Sequence, residues 1–162
     1  MKKISLFLII CALFSVLYLS VQGTYSIYVK TVNKSITLTT TKLEATFLPG
    51  SDFNAKIKQI AGNSGATIET LDTNITSIQR SNVLTIIPTE NNLVSTSDSP
   101  FPIYAWFSNG TIYYYTEVEH PYMNITSNVM FYKLSNLVSI DLSTIDTSRT
   151  TNMRSMFILL QN

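Results

Sequence analysis

The sequence predicts an α+β fold: a small β-rich cap with one short helix, then the start of a stacked-repeat solenoid. Three observations predict it. Asn109-Gly110 separates two β-prone aromatic runs, the signature of a two-residue hairpin. One stretch, Ser51 to Gly62, combines helical periodicity with a stop signal. Beyond Pro121, Met130-Phe131 returns as Met156-Phe157, and Leu134 returns as Leu160 at the same offset.

The amino terminus comes first in the chain. Met1-Lys2-Lys3 is a positive start, and Ile4 to Val21 is apolar except for Ser5, Ser15 and Ser20. Residues 1–26 therefore read as a secretory signal peptide or a signal anchor, a signal helix in either case. The apolar run lies at the lower limit of length for spanning a bilayer. Small residues at Gly23 and Ser26 offer cleavage sites. Cys11, the single cysteine, lies inside the apolar run after Ile10, without the small residue that a lipidation signal needs. Residues 27–42 mix β-branched and polar residues, with Ser35 to Thr40 alternating and a Thr39-Thr40-Thr41 run, and read as a strand or an extended linker.

Residues 43–121 form the cap region. Leu43 to Gly50 ends in a Pro-Gly turn. In the helical stretch, Phe53, Ile57, Ile60 and Ala61 make one apolar stripe, Ser51 or Asp52 caps the start, and Gly62 supplies the left-handed stop. Ile68, Leu71, Ile75 and Ile78, then Val83 to Ile87, suggest further strands closed by Pro88. Thr89 to Pro102 reads as a loop. The hairpin register pairs Phe107 with Ile112, Trp106 with Tyr113, Ala105 with Tyr114 and Tyr104 with Tyr115. One face then carries Tyr104, Trp106, Tyr113 and Tyr115. The other carries Ile103, Ala105, Phe107, Ile112 and Tyr114, and should meet the helix stripe.

Residues 122–162 carry the repeat. Leu134, Leu137, Ile140, Leu142 and Ile145 have leucine-rich repeat spacing, and the offset from Met130 to Met156 falls within the periods of that class. Such units bury their apolar edge only against neighbours. The repeat strand is expected over Leu137 to Leu142, with Leu137, Ile140 and Leu142 inward and Ser139, Asp141 and Ser143 on the exposed concave side. About one and a half copies are present, so the chain reads as the front of something longer, with an open apolar edge at Phe157 to Leu160.

The segment Ile140 to Phe157 resembles the repeat of the BspA-like leucine-rich repeat surface proteins, Leu-Asp-Leu-Ser-Asn-Phe-Asp-Thr-Ser-Asn-Val-Thr-Asn-Met-x-x-Met-Phe. The matching positions are Asp141, Leu142, Ser143, Asp146, Thr147, Ser148, Thr151, Asn152, Met153, Met156 and Phe157. Thr150 stands where that family has Val, Arg149 where it has Asn, and Ile145 where it has Phe. Ala45 to Phe47, Phe53 to Lys58, Pro102 to Phe107 and Gly110 to Glu117 are similar, more loosely, to the region preceding such repeats in Gram-positive members. The resemblance implies a bacterial cell-surface protein of the adhesin or protein-interaction type. Separately, Gly23-Thr24-Tyr25-Ser26 resembles the signal ends of camelysin-like matrix proteins, which implies the alternative of an exported matrix or fibre-type structural protein.

Charge and composition narrow the function classes. Formal net charge is +1 and only 13% of residues are charged, about half the usual quarter. With no basic cluster after Lys3, nucleic acid is excluded as a partner. An enzyme reading would rest on His120, the single histidine, between Glu119 and Pro121. No nucleophile elbow, phosphate loop or metal-ligand cluster accompanies it, so no catalytic residue, cofactor or metal is expected. Glu117 and Glu119 read as solvated charge. The Asn-x-Ser/Thr sites at Asn33, Asn74, Asn109 and Asn124 matter only in a glycosylating secretory route. The residues expected to touch a protein or glycan partner are Ser139, Asp141, Ser143, Tyr104, Trp106, Tyr113 and Tyr115. Membrane contact is expected only through the amino-terminal segment, and self-association through the open repeat edge.

Overall fold

The computed structural model describes residues 43–158 together with Ser15, Leu17, Tyr18 and Val21. The chain divides into two compact units, Met1–Thr41 and Lys42–Asn162. In the first, the four described residues are helical. The rest of the expected signal segment, Cys11 and the 27–42 linker lie outside the described residues. Among the described residues no helix is long and apolar enough to cross a membrane.

The second unit is mixed α+β, with one α-helix and an open four-stranded mixed sheet among the described residues. Helix α1 spans Gly50–Ile60. The strands are β1 (Ser77–Arg80), β2 (Tyr104–Ser108), β3 (Thr111–Tyr115) and β4 (Ser139–Ile140), in the order β2-β3-β1-β4. β2 and β3 are antiparallel, and β1 runs parallel to both β3 and β4. The Asn109-Gly110 turn has φ values of 48° and 81°, both positive as a type I′ hairpin requires. Its register is Phe107–Ile112, Trp106–Tyr113, Ala105–Tyr114 and Tyr104–Tyr115.

Helix α1 forms because Phe53, Ile57 and Ala61 fall on one face and are all buried. Its start differs from the sequence expectation. Pro49 is the N-cap residue and no side chain caps it; Ser51 Oγ instead donates to Asp52 Oδ1. Position 50 requires glycine because the chain there passes close to another segment. A Cβ there would lie 2.6 Å from the Ser127 carbonyl carbon and closer still to the Asn128 oxygen. The Gly50 N–H donates to the Thr126 carbonyl, which satisfies one free amide of the first turn. At the other end Gly62, at φ 102°, turns the chain, and the Asn63 N–H donates back to the Lys58 carbonyl.

The core joins the helix stripe to the apolar hairpin face. Phe47 meets Phe53 edge-on at 5.6 Å and Tyr114 at 5.3 Å, while Phe53 meets Phe131 at 6.2 Å. Ile103, Ala105 and Ile112 are fully buried in the same cluster, and Phe107 is partly buried against it. Met130, Leu134 and Met156 belong to that cluster too, so one core runs across Pro121.

Several expected elements are shorter or absent. Residues 67–76 are turns and a single bridge rather than strand. Val83 to Ile87 is not a strand: among the described residues it has no partner strand, and Val83 and Ile87 are exposed. The expected loop 89–102 contains a 3₁₀ turn, Glu90–Asn92, and a bridging segment that buries Val94. The repeat strand shrinks from 137–142 to Ser139–Ile140, because β1 offers a parallel partner only at Ser77 and Ile78.

Three stretches of chain stack in parallel. Tyr122 bridges Thr46 on one side and Asp146 on the other. Asp72 bridges Leu134, and Thr126 bridges Asn152. Layers of residues 44–80, 121–141 and 146–158 follow in sequence order. The chain from Thr46 to Asp72 is more than twice as long as the chain between their partners, Tyr122 and Leu134. The difference is the room that α1 and its following turns occupy. The described residues hold this short stack rather than a repeating solenoid.

Candidate functional site

Two groups of residues were expected to meet a partner, and the fold sends them to opposite edges of the sheet. Ser139, Asp141 and Ser143 lie on or beside β4, one edge strand; Tyr104 and Trp106 lie on β2, the other.

The β4 group is exposed, but each of its side chains has a partner. Ser139 Oγ sits 3.0 Å from Ser77 Oγ. Asp141 Oδ1 accepts from the Ser143 N–H at 3.0 Å and from its Oγ at 2.6 Å. These donors hold the Asp141 carboxyl below its usual range. Asp141 and Ser143 thus close the turn after β4. Leu137, Ile140 and Leu142 are partly buried against the core on the other side of this short strand.

The β2–β3 group makes a half-buried aromatic face. Trp106 stacks on Tyr113 with centroids 5.7 Å apart and planes 22° apart. Tyr104 and Tyr115 are cross-strand neighbours, and Tyr104 also bridges Leu93. Trp106 lines a groove of about 490 Å³ between α1, the turn at Ser64-Gly65, the 3₁₀ turn and β2. Nothing in local periodicity marks this groove, because its other walls come from residues distant in sequence.

The stacked layers form the third region. The N–H groups of Ser127, Val129, Phe131 and Lys133 donate to the carbonyls of Asn152, Arg154, Met156 and Ile158. Val129 and Ser155, separated by the same offset as Met130 and Met156, share a left-handed backbone with φ 55° and 56°. A β-branched residue adopts that conformation rarely, so its recurrence marks the same turn in both layers. Phe131 and Phe157 stack at 5.4 Å with planes 25° apart, and Met130 and Met156 are both buried. Phe131 is 1% exposed and Phe157 is 56% exposed.

Side chains also tie the layers together. Asn124 Nδ2 donates to the Phe47 carbonyl, and Asn54 Nδ2 donates to the carbonyls of Met130 and Tyr132. Arg149 makes two hydrogen bonds to the Glu44 carboxylate, at 2.9 and 3.0 Å, and its guanidinium lies 3.7 Å from the Tyr122 ring centroid. One side chain thereby touches all three layers. The sequence marks Arg149 only as a turn substitution, since its partner Glu44 lies 105 positions away. Thr150 Oγ1 is buried and has no hydrogen-bond partner among the described residues.

Below the helix, Lys58 is fully buried. Its ammonium donates to the Ile68 carbonyl at 3.1 Å. Burial pushes it down to about 8, against the pull of the Asp72 carboxylate. Asp72, also fully buried, accepts from the N–H groups of Asn74 and Ile75 and from the Asn63 carboxamide. Nothing in local spacing marks this polar cluster.

His120 is exposed, with Nδ1 3.3 Å from the Thr144 carbonyl oxygen and Nε2 3.8 Å from Glu119. Glu117 and Glu119 are exposed as well. Among the described residues no group of three His, Cys, Asp or Glu side chains is placed to hold a metal ion. No protein-family model, curated protein or solved structure matches the chain.

Proposed function

We propose that this chain is a non-catalytic, exported cell-surface protein, the cap and first layers of a leucine-rich repeat interaction module. The stacked pair of segments in repeat register is the observation that supports this reading. Two stretches of different sequence share a left-handed turn, an inward Met and a stacked Phe. Recurrence of that kind is what a repeat produces. The apolar amino terminus supplies the route of export, and the interaction surface lies on exposed strand and hairpin faces.

Two measurements test it. The first appends a second copy of residues 133–158 after Ile158. A repeat module accepts the copy, melts several degrees higher and protects the Phe157 region from hydrogen exchange. An unfolded appendage with unchanged melting sinks the repeat reading. The second expresses the full chain in a Gram-positive host and adds protease to intact cells. Cleavage outside intact cells is expected, and retention in the cytosol sinks the surface reading.

The exposed Phe157 and Ile158 favour a second reading, an exported matrix or fibre-type protein that associates through its open end. Ordered fibres from the purified chain would support it, and a stable monomer at high concentration would remove it.

A further inference from the structure

The groove beside Trp106 carries an assignment of its own. Its walls set polar groups, Gln59 from α1, Ser64 from the turn after it, and Asn91 and Asn92 from the 3₁₀ turn, around the apolar surface of Trp106, Phe107 and Ile60, with Lys56 beside them. No lining residue is a carboxylate, a cysteine or a histidine. That chemistry suits neither a metal ion nor acid–base catalysis. It suits a ligand with many hydroxyls and a flat apolar face.

The polar groups are held in place. Gln59 Nε2 donates to the Ala66 carbonyl at 2.9 Å, which fixes the carboxamide and leaves its oxygen as an acceptor. Asn92 Oδ1 accepts from the Thr89 N–H and hydroxyl, at 2.8 and 2.7 Å, which leaves its NH₂ to donate. Lys56 Nζ donates to the Glu90 carbonyl at 2.9 Å and keeps two further protons. Tyr113 stacked behind Trp106 holds the indole plane. Side chains already ordered lose little entropy on binding. A volume of about 490 Å³ lies within the range of small-molecule sites.

From this arrangement we infer that the groove binds a short neutral oligosaccharide, one ring stacked on Trp106 and its hydroxyls hydrogen-bonded to Gln59, Asn91 and Asn92. An extended peptide fits less well. The β2 edge is already bridged at Tyr104 by Leu93, so the backbone pairing an added strand needs is taken there. The inference deepens the surface-interaction reading by naming a ligand class. Its test is made in solution, so its outcome is independent of where the chain is exported.

Trp106 is the only tryptophan in the chain, so its emission reports the groove alone. The full chain, purified in mild detergent, is titrated with cellobiose, lactose, maltotriose, N,N′-diacetylchitobiose and a set of short neutral peptides. One sugar should change the emission saturably, with a dissociation constant of about 1 mM or tighter. Asn91→Ala and Gln59→Ala should each weaken that sugar by roughly tenfold, and Asn91→Ala should leave the melting temperature unchanged. Three results overturn the assignment: no saturable change with any sugar, a change that survives both substitutions, or saturation by the peptides instead.

Discussion

Phe131 and Phe157 occupy the same place in two successive layers, yet one is 1% and the other 56% exposed. Their layers share a turn, with Val129 and Ser155 at nearly equal φ. The difference is only in what lies on top. Phe131 has Phe53 at 6.2 Å on one side and Phe157 at 5.4 Å on the other. Phe157 has the inner ring alone among the described residues. Local sequence therefore sets the turn, while stacking sets the burial. The burial of each layer thus depends on the layer beside it.

Truncating the two rings should have unequal effects. Phe131→Ala should cost about 3–5 kcal/mol, the range for deleting a fully buried aromatic side chain. Phe157→Ala should cost about 1 kcal/mol or less, since roughly half of its surface already meets solvent. Urea denaturation of the two variants checks this. Equal losses would mean that the last layer is covered as well as the middle one.

Gly50 tests how tightly the helix is seated on the middle layer. In a solvent-facing helix, Gly→Ala stabilises by about 1 kcal/mol. Here the added Cβ meets the Ser127-Asn128 backbone, which carries the ladder and cannot move as a side chain could. Gly50→Ala should therefore destabilise by about 1–3 kcal/mol. A gain in stability would show that the first and middle layers are loosely joined.

Legibility follows the same division between local and stacked. The Asn109-Gly110 hairpin and its register were readable because the turn demands positive φ at two adjacent residues and so fixes every pair behind it. The stripe of Phe53, Ile57 and Ala61 was readable from spacing. The helix start was not. Pro49-Gly50 looks like a turn until Ser127 and Asn128, far off in sequence, are seen to lie against it. Val83 to Ile87 has strand composition but no partner strand among the described residues, which no local pattern reports. Of the candidate contact residues, Trp106 and its face followed from hairpin alternation. The groove around it needed Gln59 and Asn92, brought in by tertiary packing.

In the cap, Lys58 places a cationic side chain out of solvent, against the Ile68 carbonyl. Its neighbours of either sign are Asp72, Glu69 and Lys133. Its folded value is about 8 against 10.5 for the free side chain. Between those pH values the unfolded chain still holds the proton that the folded chain has released. Stability from this group therefore rises with pH across that window, and below pH 8 the cost of burying the ammonium is present in full. The effect should be on the order of 1–2 kcal/mol. Lys58→Met lacks the term, so the wild-type chain should gain on the variant as pH rises from neutral through that window. Melting curves of both proteins at each pH measure it; a constant difference would place the ammonium in water.

Thr150 is the smallest lever and lies in the last layer. Its N–H donates to the Thr147 carbonyl, but its Oγ1 is buried and has no partner among the described residues. A hydroxyl removed from water and left unpaired costs about 1–3 kcal/mol, and an aliphatic residue of the same shape avoids that cost. Thr150→Val keeps the branched Cβ and the backbone bond. It should stabilise the chain by about 1 kcal/mol, read as a rise in the urea midpoint with an unchanged slope. The gain should be the same in a chain extended by a further copy of residues 133–158, because the hydroxyl is already cut off from water. A larger gain in the extended chain would mean that water reaches the hydroxyl in the last layer.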